Sequence, residues 1–427
     1  MLKTTLLLLF VLIALSIPVA ASLGLLGLIL DKVYAFMPLH RAMGELAWGT
    51  STEFLLVAIP MFILMGEILL RSGIADAVYR AVSTWLTWLP GGLMHSNIGA
   101  CATFAAISGS TVATAATIGT VAIPQMDKMG YNRKLFLGTL ASGGTLGILI
   151  PPSINIIIYG ALTNTSIPEL YLAGIIPGII LAVLFSTTVI LACVWRPEFG
   201  GTKITYTWAE RFRSLPDLIP PALIFVVVIG SIYSGFATPT ESAALGVVCS
   251  LVLAAIRRKL TLKILSKSIE GAMQTSAMIM LIIVAAFFLN LVLATMGLPQ
   301  AVSSFVLSLD YSPAFSLTII ILLYLVLGLF LETLTLMITT IPIVAPVVFS
   351  LGYDPVWFGI LLMLLIETAL ITPPVGLNLY VIQGVRGSGK IDDVILGALP
   401  FVLALLVMMS LLVLMPEIVL YLPGLFY

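Results

Sequence analysis

Two short runs set a proline pair among hydroxyl and amide side chains inside otherwise apolar sequence: GILIPPSINIIIYG at 147–160 and ALITPPVGLNLY at 369–380. A proline in a helix interior removes one N–H and pushes against the carbonyl four residues back. Each pair therefore breaks its helix and leaves carbonyl oxygens without donors. In apolar surroundings such oxygens are tolerated only inside protein or beside a wet cavity. The stretch AAISGSTVATAATIGT at 105–120 offers hydroxyls to go with the first break. Freed carbonyls at Gly147, Ile150 and Pro152, with Ser108, Ser110 and the chain at Ala105, make a neutral cage of five or six oxygens. Neutral carbonyl and hydroxyl cages suit a monovalent cation, whereas Ca²⁺ and Mg²⁺ sites usually recruit carboxylates. Sodium is the economical ion.

The two breaks are copies of one unit. Pro373 follows Pro151 by 222 positions, and the same offset pairs Pro152 with Pro374, Gly130 with Gly352, Tyr131 with Tyr353, Pro124 with Pro346, Thr111 with Thr333 and Thr117 with Thr339. GIADAV at 73 and GLPQAV at 297 match at 224, which implies a two-residue indel upstream of each hairpin. A second cage then uses Gly328, Thr368, Thr372 and Val375, so two or more sodium sites are expected. Helix N-termini following Ser110 and Thr333 present N–H groups and a positive dipole end, which favour an anionic group such as a carboxylate. The candidate substrate set is Ser110, Thr111, Ser153, Asn155, Thr333 and Asn378. Asn155 and Asn378 have an equal alternative, satisfying the backbone of the broken helices.

These elements need a membrane around them. Of 427 residues, 60% are hydrophobic and 9% charged, with Lys plus Arg equal to Asp plus Glu at 19 each. No water-soluble surface can be built from that remainder, and there is no basic stripe for nucleic acid. Cys101, Cys193 and Cys249 lie in apolar segments without CxxC spacing and read as packing residues. The fold class is an all-α polytopic membrane protein. Spanning runs fall near 5–30, 53–71, 133–162, 168–195, 217–234, 239–256, 272–295, 357–386 and 394–418. The first imitates a signal peptide, but its spanning length marks it as a retained helix. Regions 91–127 and 313–350 are too long for one crossing and carry small polar residues near the middle, so each reads as a re-entrant hairpin.

Lys and Arg test that topology, because they collect in short cytoplasmic loops. With the N-terminus inside, Lys3, Arg71, Arg80, Lys128, Arg133, Lys134, Arg196, Lys203, Arg211, Arg213, Arg257, Arg258, Lys259, Lys263, Lys267, Arg386 and Lys390 are cytoplasmic, and only Lys32 and Arg41 are outside. Counting either hairpin as a crossing spoils this segregation. The two copies then enter from opposite sides as an inverted repeat, the arrangement that places transporter sites at mid-membrane. Segments 75–90 and 298–310 read as interfacial amphipathic helices or bland connectors.

Intramembrane acids are functional candidates by default. Glu67 with Arg71 reads as an i,i+4 pair, and Glu241 as the answer to a helix dipole. Glu332, at the second hairpin tip, either tunes an ion site or carries a proton, or bonds structurally. Glu367 has no assigned partner. His95 also lacks an identifiable partner and reads as interfacial. GVRGSGK at 384–390 imitates a phosphate loop, but Ile391 replaces Ser or Thr and no strand precedes it. No HExxH, GxSxG or metal-ligand cluster appears, so an enzyme is not expected.

With ISGSTVATAATIG, GGTLGILIPPSINIIIYG, GFATPTESAALGV, GLFLETLTLMITTIPIVAPVV and ITPPVGLNLYV in view, the chain resembles the large membrane subunit of TRAP transporters along essentially its whole length. The resemblance implies an elevator-type, sodium-driven importer of organic acids in the bacterial inner membrane. It implies two partners, a small four-helix membrane subunit and a periplasmic substrate-binding protein. It also implies ion cages at Ser108, Gly147, Ile150, Pro152, Gly328 and Thr372. Glu332 departs from the Asp common in the family's GxFxD motif. The expected organisation is a scaffold of 1–72 and 196–295, with repeats at 73–195 and 296–427 forming the transport domain. Rivals are a stand-alone ion-coupled elevator carrier of another family and a membrane scaffold without transport.

Overall fold

A computed structural model describes residues 2–15 and 17–426, and all regular structure among them is helical. The order begins with α1 (Leu2–Ala14), α2 (Val19–Tyr34), α3 (Met43–Thr52) and α4 (Ala58–Arg71). The first copy of the repeat follows as α5 (Ile74–Leu86), α6 (Leu93–Ser108), α7 (Thr111–Lys128), α8 (Arg133–Leu149), α9 (Ile154–Thr163) and α10 (Ile167–Trp195). Four helices connect the copies: α11 (Trp208–Ser214), α12 (Ile219–Tyr233), α13 (Pro239–Ile256) and α14 (Leu262–Thr295). The second copy is α15 (Leu298–Ser308), α16 (Pro313–Gly328), α17 (Thr333–Ser350), α18 (Pro355–Ile371), α19 (Leu377–Arg386) and α20 (Ile391–Leu414). Short α21 (Glu417–Leu420) and α22 (Pro423–Phe426) close the described chain.

The duplication reaches individual helix ends. An offset of 222 carries the bounds of α7 onto those of α17, and the bounds of α8 onto those of α18. Local chemistry explains the match. Gly130 and Gly352 both take left-handed conformations, φ 71° and 90°, that end one helix sharply. Two residues later Asn132 and Asp354 cap the next helix by accepting backbone N–H groups, at 3.0 Å from Leu135 N and 2.8 Å from Val356 N. Gly73 and Gly297 are also left-handed, at φ 73° and 68°, ahead of α5 and α15. The upstream indel resolves into two length differences. Nineteen residues (Ile74 to Gly92) against fifteen (Leu298 to Ser312) precede the hairpins, and the tips hold two residues (Gly109, Ser110) against four (Leu329 to Glu332).

The copies run in opposite directions. Tyr159, near the end of the first broken helix, donates its hydroxyl to the Pro355 carbonyl that opens the second, at 2.6 Å. At the other end, Gly138 of α8 packs backbone to backbone on Gly397 of α20, where any side chain would collide. Arms are exchanged as well: α7 packs on α19, and α17 on α9.

Three expectations need correction. Residues 5–30 do not form one crossing. Pro18 restricts the residue before it and ends α1 early, and the chain folds back until the Thr4 hydroxyl lies 3.0 Å from that of Tyr34. The N-terminal end thus shares a face with residue 34, so a cytoplasmic N-terminus does not hold together with an outer Lys32; the Lys3 side chain lies outside the described residues. Segment 272–295 belongs to a 34-residue helix that starts at Leu262, because Thr261 caps it through Ile264 N at 3.2 Å. Segment 75–90 is neither a bland connector nor a helix free of the protein: one face of α5, from Ile74 through Val82, is buried against the first hairpin. Its counterpart α15 buries only Leu298 and Pro299.

Other readings hold. Arg71 Nη2 donates to Glu67 Oε2 at 2.8 Å, and Thr238 with Glu241 form a capping box ahead of α13. GVRGSGK is a turn: Gly387 is left-handed and Arg386 bridges to Asp393 at 3.1 Å. Outside the repeats, buried Asp31 accepts from Leu39 N at 2.8 Å and from His40 Nδ1 at 2.6 Å, tying down the loop after α2.

Candidate substrate and ion site

Both predicted breaks are present. The chain turns by 40° between α8 and α9, across Ile150–Ser153. Ile150 N still reaches the Leu146 carbonyl at 2.9 Å, but the next two donors would come from Pro151 and Pro152, which have no N–H. The Gly147 and Ile148 carbonyls are freed in this way. The second break, Thr372–Gly376, leaves Ala369 and Leu370 in the same state through Pro373 and Pro374.

The first hairpin tip is pressed into the first break. Gly109 is left-handed (φ 61°), donates to the Ala105 carbonyl at 3.1 Å and ends α6. A Cβ there would stand 2.9 Å from the Pro152 oxygen, so glycine allows that close approach. A Cβ on Gly147 would stand 3.1 Å from Thr111 N. Ser108 is buried and its hydroxyl pairs with that of Thr114 at 2.9 Å, while Thr114 Oγ1 also donates to the Ser110 carbonyl at 2.7 Å. Ser108, Ser110, Thr111, Gly147 and Pro152 are thus brought together. Ala105 lies one turn below the tip, and the Ile150 side chain turns away toward Gly178 of α10. Ser153 is buried with its hydroxyl unpaired.

At the second break, Gly328 abuts Ala369, where a Cβ would meet the alanine Cβ at 2.7 Å. Thr368 donates to the Leu364 carbonyl at 2.8 Å and Thr372 to the Thr368 carbonyl at 2.6 Å. Both hydroxyl protons are spent, which leaves only oxygen lone pairs to face a ligand. Val375 is half-buried and Pro374 exposed, whereas Pro151 and Pro152 are buried.

The two candidate asparagines diverge. Asn378 is fully buried, donates to the Ala141 carbonyl of α8 at 3.0 Å, and keeps its Oδ1 without a partner. A Cβ on Gly144 would lie 3.2 Å from both Asn378 Nδ2 and the Thr111 carbonyl. Asn378 therefore crosses from the second copy to the first hairpin tip. Asn155 is half-buried and takes no part in this contact.

The second hairpin corrects an expectation. The α17 N-terminus does not offer free N–H groups, because Glu332 is its cap: the carboxylate accepts Leu334 N and Thr335 N, each at 3.2 Å, and the hydroxyls of Thr333 at 3.0 Å and Thr335 at 3.2 Å. A carboxylate already satisfies this dipole end, so a substrate carboxylate is repelled from it. At the first tip only a neutral hydroxyl, Ser110 Oγ, caps through a long 3.4 Å contact from Ala113 N. His95 is also corrected. It is buried, and its Nε2 lies 2.8 Å from the Pro90 carbonyl in the turn before α6.

The sequence profile described as the DctM component of tripartite ATP-independent periplasmic transporters matches residues 6–418. The chain belongs to this family. It is 35% identical over 407 residues to the C4-dicarboxylate TRAP transporter large permease protein DctM of Pseudomonas aeruginosa, covering 94% of each chain. It is 31% identical over 379 residues to the sialic acid TRAP transporter large permease protein SiaM of Vibrio cholerae, covering 88% of each. The fold matches that of the Alcanivorax borkumensis YdaH transporter at a TM-score of 0.65 and 15% identity, over 96% of this chain and 97% of that one. This DctM-family chain is accordingly a multi-pass transporter component, one part of a tripartite system.

One feature of the site escaped the sequence reading, and one acid named there without a role gains a setting. Gly144, within the quoted run SGGTLG, sets the distance between Asn378 and Thr111; only the density of small residues hinted at it. Glu367 of α18 is fully buried, and the Leu149 backbone N–H ahead of the first break lies beside its carboxyl group. The repeat offset places Thr145 opposite it, so this acid belongs to one copy alone.

Proposed function

We propose that this chain is the permease subunit that carries an organic acid across the bacterial inner membrane together with sodium ions. The observation that carries the reading is the pairing of donor-free carbonyls with hydroxyls at both breaks, Ser108 of the hairpin at the first and Thr368 and Thr372 of the broken helix at the second, on two copies of one unit running in opposite directions. Sodium is assigned to Ser108, Gly147 and Pro152 at the first break, and to Gly328, Thr368 and Thr372 at the second, because every donor offered is a neutral oxygen. The carboxylate of the substrate is assigned to the α7 N-terminus, with Ser110, Thr111 and Asn378. C4-dicarboxylates and sialic acid, named for the relatives, bound the substrate class. The repeats at 73–195 and 296–427 act as the moving domain and 1–72 with 196–295 as its scaffold, an elevator arrangement supported by the inverted repeat. A four-helix membrane subunit and a periplasmic binding protein complete the machine.

The test is uptake of labelled C4-dicarboxylates and sialic acid into proteoliposomes holding all three components. Accumulation that requires an inward sodium gradient is the expected result. Uptake indifferent to sodium, or transport by this chain without its partners, favours another coupling or a stand-alone carrier.

A further inference from the structure

Aromatic and basic side chains cluster where α5 meets α11, and again at the end of α10. Trp85 meets Trp208 edge-on at 6.5 Å and Phe212 at 6.1 Å, and the Arg211 guanidinium lies 4.7 Å over the Trp208 ring. Arg196 stands 5.1 Å from Trp195 and 5.6 Å from Phe199. The Thr84 and Ser214 hydroxyls, 2.7 Å apart, hold α5 to α11. Despite these contacts, Trp88, Trp195, Trp208 and Phe212 remain 61–78% exposed.

Basic groups outnumber acidic ones between α10 and α12: Arg196, Lys203, Arg211 and Arg213 stand against Glu198 and Glu210 over residues 195–214. Arg80, Arg196, Lys203, Arg211 and Arg213 form none of the ion pairs found among the described residues. Glu210 does not offset them, because it is committed to a capping box: the Thr207 N–H and hydroxyl bind its carboxylate at 2.7 and 2.8 Å and hold it below its ordinary titration range. Trp85 Nε1 and Arg211 Nε find no acceptor within the protein. Depth then decides what neutralises the patch. Trp195 ends a 29-residue apolar helix and Ile219 opens the next span, so these side chains lie in the headgroup layer, where tryptophan concentrates. A soluble acidic partner or a nucleic acid would have to displace lipid to reach the rings.

We propose that the surface formed by α5, the end of α10 and α11 binds anionic phospholipid, with headgroups drawn to the basic side chains Arg196, Arg211 and Arg213 of the connection between α10 and α12 and acyl chains against Trp88, Trp195 and Trp208. A basic residue near an anionic surface contributes a factor of about five in lipid partitioning. The site is independent of the transported substrate.

The test uses the full chain in nanodiscs of phosphatidylcholine with a minor fraction of brominated lipid. It reads the tryptophan quenching that disappears in the Trp208→Phe variant. Brominated phosphatidylglycerol should quench more than equal brominated phosphatidylcholine, and R196Q/R211Q/R213Q should remove the preference. The control K263Q/K267Q, a basic pair at the start of α14 outside this surface, should retain it. Should the triple variant misfold, exposed Arg213→Gln alone is expected to weaken the preference about fivefold. Equal quenching by the two lipids, an unchanged preference in the variants, or equal loss in the control overturns the site.

Discussion

The two copies of the repeat share helix bounds but differ in charge. At the first tip a serine caps α7, and the break beside it is buried. At the second, Glu332 caps α17 with four accepted bonds, and Pro374 is exposed at the break. One backbone thus supplies a helix N-terminus capped by a neutral hydroxyl in one copy and by a carboxylate in the other. On the proposed reading the substrate anion is received at the first. Duplication set the frame, and single substitutions divided the work.

The largest effect is expected where both copies are alike. Ser108→Leu or Thr372→Leu fills a cage, and sodium-driven uptake should fall to background while size-exclusion profile and helicity stay those of the parent protein; normal uptake in both variants removes the cages. The next change erases the difference between the tips. Ser110→Glu puts a carboxylate where the first tip has a hydroxyl, and KM for a carboxylate substrate should rise about tenfold or more, at ~1.4 kcal/mol of like-charge repulsion. An unaltered KM would show that the substrate does not sit at the α7 N-terminus.

A smaller contrast separates the asparagines. Asn378→Ala should weaken substrate binding several-fold, because Nδ2, which gives one N–H to the Ala141 carbonyl, has a second to offer a carboxylate, whereas Asn155→Ala should be nearly silent; equal effects would mean that both only satisfy backbone. Smallest is the cap itself. Glu332→Ala should lower stability by about 1 kcal/mol, the usual cost of a lost N-cap, and Glu332→Gln by less, since an amide oxygen still accepts. Thermal unfolding in detergent measures both, and a neutral Glu332→Ala would deny the capping role.

Much of this was legible in the chain. Proline pairs declare where a helix must break whatever surrounds them, and glycine and asparagine positions fix the turns, so the 222-residue offset foretold helix bounds almost residue by residue. The single 5–30 crossing failed because hydrophobic length says nothing of direction: Pro18 allows either a kink or a reversal, and contact with Tyr34 chooses the reversal. Thr333 misled for a related reason. A helix N-terminus looks open in sequence, and whether the preceding acid turns back to close it depends on a side-chain torsion.

Sequence by itself therefore determined the membrane setting, the two breaks, the hairpins and the supply of neutral oxygens around them, because each follows from local covalent properties: missing N–H groups, hydroxyl content and apolar length. Tertiary structure alone decided that Asn378 crosses to the first copy, that Gly144 sets its distance from Thr111, and that Glu367 is fully buried beside the first break. Those outcomes depend on which faces of distant helices meet, and that is settled by close packing across hundreds of residues rather than by any pattern along the chain.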